Sequence, residues 1–308
     1  MPKYEVIIVG GGPAGLTAGL YTSRAGLKSV LLEQGASGGQ MANAALVENY
    51  PGFPDGISGF DLGSLMQRQA AKYGLEILTA EVTGVARRQP YVVSTSEGGF
   101  EGQAIIVAAG SEYRKLEVPG EEHLTGRGVS YCATCDGFFF RNRVVAVVGG
   151  GDTAITDALE LSRHAEKVYV LHRRDQLRAG RVLQERALAH PKLEFLWSTV
   201  VEELVGETML RGLRLRNVKT GQPSSLEVDG VFVAIGLTPN SRSFTDILEL
   251  DDAGYIVVDD TMATSTPGIF AAGDIRRNSP RQIAAAVGDG VTAAMSSYRY
   301  VEEQGPTP

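Results

Sequence analysis

The sequence predicts an α/β fold of two parallel-sheet units built on one plan, the first interrupted by the second. Three observations carry this. Residues 6–34 (VIIVGGGPAGLTAGLYTSRAGLKSVLLEQ) lie without a gap over residues 145–173 (VAVVGGGDTAITDALELSRHAEKVYVLHR), at a constant offset of 139. Each copy runs from a β-branched strand through a glycine-rich turn and a helix-like stretch into a second apolar strand, the pattern of a βαβ unit. A later apolar run, PGIFAAGD at 267–274, reads as a strand returning to the first unit. At 308 residues the chain can bury a separate core in each unit.

In the first copy the turn reads Gly10-x-Gly12-x-x-Gly15, and Pro13 and Ala14 open the helix. The first glycine makes the tight turn, and the second lets the backbone approach a pyrophosphate. The third position must be small so that helix and strand can pack. A pyrophosphate then lies at a helix N-terminus, where free amides and the helix dipole favour an anion. The second copy repeats the pattern as Gly149-x-Gly151-x-x-Ala154, with Asp152 and Thr153 opening its helix. One such turn in a chain with 38 glycines is a weak signal; two, each framed by strand and helix, predict two Rossmann-like dinucleotide-binding units.

The ends of the second strands separate the two ligands. The first ends at Glu33, whose carboxylate suits a ribose 2′-hydroxyl. The second ends at His172, followed by Arg173, Arg174 and Arg178, which suit a 2′-phosphate that a glutamate would repel. The first copy is thus expected to hold a dinucleotide such as FAD, and the second NADP(H). Runs at 104–110 (AIIVAAG) and 231–236 (VFVAIG, with Ile235 and Gly236) read as strands ending at a ligand crevice. In PGIFAAGD the closing Asp274 suits the ribityl or pyrophosphate part of a flavin, and the glycine-rich stretch 281–294 reads as a helix pointing into that site. The expected FAD-binding domain is therefore discontinuous, 1–113 and 242–308, around an NADPH-binding domain at 114–241.

The net charge of −7 and a pI near 5.3 argue against nucleic acid as a partner. No apolar run approaches the ~20 residues of a membrane helix. The first strand starts by Tyr4, leaving no room for a leader, and the tail QGPTP carries no lipidation motif, so a cytoplasmic protein is expected.

The only two cysteines, Cys132 and Cys135, lie in YCATCDGFFF. In a reducing compartment a stabilising disulfide across so short a loop adds little. One CxxC supplies half of a zinc site, and His123, His164, His172 and His190 show no ligand spacing to it, so no metal is expected. Asp136 stands where a c-type haem would need histidine. A redox dithiol and a pair of buried thiols remain.

GGGPAG, GGQ (38–40), ENYPGFP (48–54), CATCDG (132–137), GGGDTA (149–154), HRRDxxRA (172–179) and AAGD (271–274) together resemble the low-molecular-weight bacterial thioredoxin reductases, over essentially the whole chain and in the same order. The resemblance implies a homodimer that passes electrons from NADPH through FAD to a Cys132–Cys135 disulfide and on to thioredoxin. Asp136 would protonate a departing thiolate. Gly39, Gln40, Asn49, Asp274, Arg281, Gln282 and Ile283 would touch FAD, and Phe138 and Phe139 would form an apolar surface for thioredoxin. Hinges are expected near 111–118 and 236–243, where the chain crosses between domains. The run Met41-Ala42-Asn43-Ala44-Ala45 departs from the threonines common after GGQ, and Thr156 stands where an acid commonly follows the TA pair. A dithiol oxidase would not need the arginines, and a flavodoxin or ferredoxin NADP reductase would not need CATC. A flavin-binding redox sensor would lack one or the other.

Overall fold

The computed structural model describes residues 1–44 and 46–305; Ala45 and the tail at 306–308, both used in the sequence reading, lie outside the described residues. The chain divides into two compact units, Met1–Glu112 with Thr238–Pro308, and Tyr113–Leu237.

The first unit begins with β1 (Lys3–Val9), α1 (Pro13–Arg24) and β2 (Ser29–Glu33), followed by α2 (Gly59–Lys72) and β3 (Glu76–Thr79). β4 (Val82–Ala86), β5 (Tyr91–Thr95) and β6 (Gly98–Val107) then form an antiparallel meander. The chain leaves along β7 (Ser111–Tyr113). The second unit holds α3 (Glu121–Leu124), β8 (Val129–Ser130), α4 (Ala133–Asp136), β9 (Val144–Val148), α5 (Asp152–Leu161), β10 (Lys167–His172), α6 (Arg181–Leu188) and β11 (Leu193–Trp197). An antiparallel sheet of β12 (Thr199–Val205), β13 (Gly212–Asn217) and β14 (Pro223–Glu227) precedes β15 (Gly230–Val233). The chain returns along β16 (Leu237–Pro239), which pairs with β7, to β17 (Ile269–Ala271) and α7 (Ile283–Gln304).

The parallel part of the first sheet runs β3-β2-β1-β6, with β17 beside the C-terminal half of β6. Its inner strands β2, β1 and the C-terminal half of β6 are buried on both faces, as parallel strands usually are, while the edge strand β3 is partly exposed. Ile7, Val9, Val30, Leu32 and Ile105 fill one side; Val6, Ile8, Leu31 and Ile106 pack with Ala14, Leu16 and Ala293 on the other. Each fully buried leucine or isoleucine contributes roughly 1.5–3 kcal/mol. The small residues of 281–294 let α7 reach α1: a Cβ on Gly290 would lie 2.4 Å from the Ala14 carbonyl oxygen. The helix expected from Arg281 begins two residues later, because Arg281 sits at φ 57° and Gln282 is extended at φ −125° as the N-cap.

The second unit repeats the plan in a parallel sheet ordered β11-β10-β9-β15-β8. Even the register repeats: Val6 faces Ala104 and Ile8 faces Ile106, while Val145 faces Gly230 and Val147 faces Phe232. One difference matters for chemistry. The sheet position filled in the first unit by β17, ahead of Gly273-Asp274, is filled in the second by β8, which ends at Ser130 just before Cys132. Among the described residues no helix is long and apolar enough to cross a membrane.

Candidate functional site

In the first unit Gly10 has φ 106° and its Cβ would meet the Ala108 carbonyl oxygen at 2.3 Å, so only glycine fits the turn. Gly15 is as constrained: its Cβ would lie 1.8 Å from the Gly10 carbonyl oxygen. Gly12 points the other way, and nothing lies within 4 Å of a Cβ there. This is the face a pyrophosphate can approach. No side chain caps α1 behind it. Glu33 supports the turn, accepting the Gly11 amide at 2.6 Å and the Gly35 amide at 2.9 Å, and a carboxylate keeps lone pairs beyond these two for a ribose hydroxyl. Gly39 lies against the same turn, its Cβ position 3.1 Å from the Gly12 Cα. Gln40 donates to the Ser111 carbonyl.

The returning segment closes on this turn. Gly273, at φ 79°, has room for no Cβ against Ala14 (2.9 Å). Asp274 accepts from Ser279 Oγ at 3.0 Å; burial pushes its carboxyl above the usual range, against the pull of Ser279 and Arg281. Asn49 donates to Gln282 at 3.2 Å, joining the ENYPGFP loop to the start of α7, with Ile283 as its first residue. The Arg281 guanidinium packs on the Tyr255 ring (5.5 Å) and donates to its hydroxyl, while its Nε is buried with no partner among the described residues. An open glycine turn, an uncapped helix and a buried unpaired donor fit FAD.

In the second unit Gly149 is held as Gly10 is, its Cβ position 2.4 Å from the Ala234 carbonyl oxygen and 2.7 Å from Ala154 Cβ. Gly151 is open: the nearest atom to a Cβ would be Arg178 Nη2, at 4.0 Å. Arg178 thus stands at the mouth of the turn. α5, beginning Asp152-Thr153, is uncapped by any side chain. His172 does not join the exposed arginines. It is 5% exposed, packs its ring on Gly150 and meets the Gln176 carbonyl at 3.1 Å, taking under this turn the place Glu33 takes under the first. Burial, and then the charges of Arg178, Arg174 and Arg173, hold the imidazole below its usual range despite the Gln176 carbonyl. Arg173 and Arg174 are exposed in bends after β10. Ile235 and Gly236 follow β15, and Gly236 accepts the Arg114 amide at 3.0 Å. An uncapped helix with an open basic mouth fits NADPH.

Cys132 and Cys135 form a disulfide across α4, with Cys132 half-buried and Cys135 exposed. Ala133 anchors α4 in the core beside Ala154, Ile155 and Leu161, so the dithiol is fixed to the helix that starts at the second glycine turn. Phe138 and Phe139 are 58% and 48% exposed directly after it. Asp136 is half-buried; burial raises its carboxyl above the usual range, opposed by a 2.6 Å hydrogen bond from Ser130. The sequence reading missed Ser130, Tyr255, Ser279 and the Asp152–Gly180 contact. Of these only Ser130 carried a signal, a small polar residue two places before the first cysteine.

The chain matches the family described as pyridine nucleotide-disulphide oxidoreductase over residues 4–290. It is 49% identical over 302 residues to a thioredoxin reductase of Listeria monocytogenes, covering 97% of this chain and 94% of that one. A thioredoxin reductase of Bacillus subtilis is 48% identical, with 97% and 95% covered. Among solved structures it is similar to the thioredoxin reductase of Streptococcus pyogenes MGAS5005, at a TM-score of 0.94 and 45% identity, with 98% and 99% of the two chains covered.

Proposed function

This chain belongs to the pyridine nucleotide-disulphide oxidoreductases, and within them to the thioredoxin reductases; from that premise, and from the site, we propose how its residues divide the work. It is an NADPH-dependent flavoprotein oxidoreductase that delivers electrons to the disulfide of thioredoxin. The discontinuous unit holds FAD through Gly10–Gly15, Glu33, Gly39, Gln40, Asn49, Asp274 and Arg281–Ile283. The inserted unit holds NADPH through Gly149–Ala154, Arg173, Arg174, Arg178 and Ile235–Gly236, with His172 bracing the turn. Bound there, FAD would supply the redox relay between a nicotinamide and the disulfide.

The residues supply the rest. The open faces of Gly12 and Gly151 admit the pyrophosphates to uncapped helix N-termini. The arginines discriminate the 2′-phosphate. One cysteine thiolate attacks the thioredoxin disulfide and its neighbour resolves the mixed disulfide. Asp136, an acid kept protonatable by burial, gives the departing sulfur its proton. Exposed Phe138 and Phe139 offer thioredoxin an apolar seat.

The second glycine turn and the dithiol ride on one unit, while the first turn belongs to the other. We assign the two crossings, near 111–118 and 236–243, as hinges that let the inserted unit turn to present each in succession. The enzyme works as a cytoplasmic homodimer, in keeping with the sequence resemblance. The observation that carries the reading is the union in one unit of a basic nucleotide turn and an accessible disulfide. Its test is NADPH oxidation by the FAD-loaded protein with thioredoxin as the sole acceptor. Turnover dependent on thioredoxin is expected; NADPH consumption indifferent to thioredoxin would overturn it.

A further inference from the structure

Ser130 closes β8 and is 5% exposed. Its Oγ lies among three atoms of the dithiol segment. It donates to Asp136 Oδ2 at 2.6 Å, accepts the Cys132 amide at 3.1 Å, and stands 3.4 Å from the Cys132 carbonyl oxygen. A hydroxyl has one proton and two lone pairs. The Cys132 amide takes one lone pair. One proton and one lone pair remain, facing two oxygens. Among the described residues Ser130 is also the only hydrogen-bond partner of the Asp136 side chain.

We propose that Ser130 is a positioning residue for the acid, a hydroxyl rotor that keeps the Asp136 side chain in one place whether or not it carries its proton. This rests on the role assigned above to Asp136. With the carboxylate ionised, the Ser130 proton points at Oδ2 in a short, charge-assisted bond. With the carboxyl protonated, its O–H donates to the free lone pair of Oγ, and the Ser130 proton turns to the Cys132 carbonyl. Asp136 Oδ2 and the Ser130 hydroxyl stay paired in both states, so proton transfer needs no movement of the acid.

The exchange balances around this rotor. An enzyme thiolate puts its electron pair into a new bond with one sulfur of the acceptor disulfide. The pair of the broken S–S bond leaves with the other sulfur, which takes the Asp136 proton. The second cysteine thiol returns a proton to the carboxylate and, as thiolate, attacks the enzyme sulfur of the mixed disulfide; the pair of that S–S bond leaves with the remaining acceptor sulfur, which takes the returned proton from Asp136. The enzyme ends as the disulfide and the acceptor as the dithiol.

Other ionisable groups stand nearby and bear on the pH dependence. On α5, which packs against α4, Asp152 is engaged by the Gly180 amide and Glu160 by Arg163, while Asp157 is pushed up to about 6 by burial beside Glu160. Tyr131, ahead of the first cysteine, donates to Glu121; His164 packs edge-on to Phe138. The causes that act on Asp136 are its burial and Ser130.

The test is the pH profile of single-turnover oxidation of the NADPH-reduced, FAD-loaded enzyme by thioredoxin disulfide. An acid must be protonated to act, so the rate falls as pH rises through its pKa. Losing a hydrogen bond that stabilises the carboxylate moves that falling limb to higher pH by about one unit in Ser130→Ala. Ser130→Val should shift it likewise, while Ser130→Thr, of the same size but with the hydroxyl kept, should stay at the wild-type position; this pair makes the comparison even if Ser130→Ala is unstable. In an Asp136→Asn background, Ser130→Ala should move nothing further. An unshifted limb in the Ala and Val variants, or the same shift without Asp136, overturns the proposal and leaves the acid role standing. A wild-type limb in Asp136→Asn alone overturns both.

Discussion

Asp152 Oδ1 accepts the amide of Gly180 at 2.7 Å, and Arg178 donates its own amide to the Gly150 carbonyl, also at 2.7 Å. One side-chain and one backbone contact thus latch the loop bearing Arg173, Arg174 and Arg178 to the second glycine turn. The Asp152 carboxylate, at the start of the second helix, is thereby tied to the loop that carries Arg178.

NADPH should be strongly preferred over NADH. A hydrogen bond to a charged group is worth roughly 1.5–3 kcal/mol, so Arg173→Ala, Arg174→Ala or Arg178→Ala should each weaken NADPH about tenfold or more. NADH should barely respond. Asp152→Ala should raise the KM for NADPH by a smaller factor, because the loop loosens while its charges remain. The ratio of kcat/KM for the two cofactors reads this directly. Equal losses for both would mean that the arginines hold the fold.

The first turn predicts a second pattern. Glu33→Ala removes support for the Gly11 and Gly35 amides as well as a ribose acceptor. It should weaken FAD binding, measured by fluorescence titration of the apoprotein, while leaving a folded chain. Gly15→Ala should be far worse, since its methyl would lie 1.8 Å from the Gly10 carbonyl oxygen. Such a clash forces the turn open, and little flavin should remain after gel filtration. Retention of one FAD per chain by Gly15→Ala would show that the turn yields more easily than its geometry implies.

These two turns also show what the sequence made legible. Strand, glycine turn and helix are written in neighbouring residues, and their duplication exposed the plan of both sheets. The third glycine position was read as small, yet the structure separates Gly15, where no methyl fits, from Ala154, where one does. That difference lies in how closely two backbones approach, which composition does not encode. The match between β8 and β17 was hidden because it depends on pairing with β15 and β6, far away in the chain. Ser130 was hidden for the same reason. Its hydroxyl gains meaning only when α4 folds Asp136 back onto the end of β8. The start of α7 was misplaced because Arg281 adopts a left-handed φ of 57° that no local pattern announces for arginine.

Replacing Cys132 or Cys135 with Ser should abolish turnover with thioredoxin but leave NADPH able to bleach the flavin absorbance. The disulfide acts after the flavin, so its loss should separate the two halves of the reaction. The core packing of α4 through Ala133 is untouched by either change, so circular dichroism should match the wild type. A Ser variant that still reduces thioredoxin at the native rate would make the cysteines structural.

Asp157 gives the chain a pH-dependent liability. It is half-buried on α5, and burial, with Glu160 adding to it, raises its carboxyl from 3.8 to about 6. Below the unfolded value, the folded and unfolded states both hold the proton and burial carries no charge penalty. As pH rises through the folded value, the native state must hold a buried carboxylate that the unfolded chain ionises freely, and stability falls. By neutral pH this amounts to about 1–3 kcal/mol once partial solvent screening is allowed for. Asp157→Asn keeps the size and removes the charge. Its unfolding midpoint should exceed the wild type by several degrees at neutral pH and above, with the gain vanishing near the unfolded value. A gain equal at both pH values would trace to helix α5 itself and not to the charge. No gain at neutral pH would mean that Asp157 is solvated in the native enzyme.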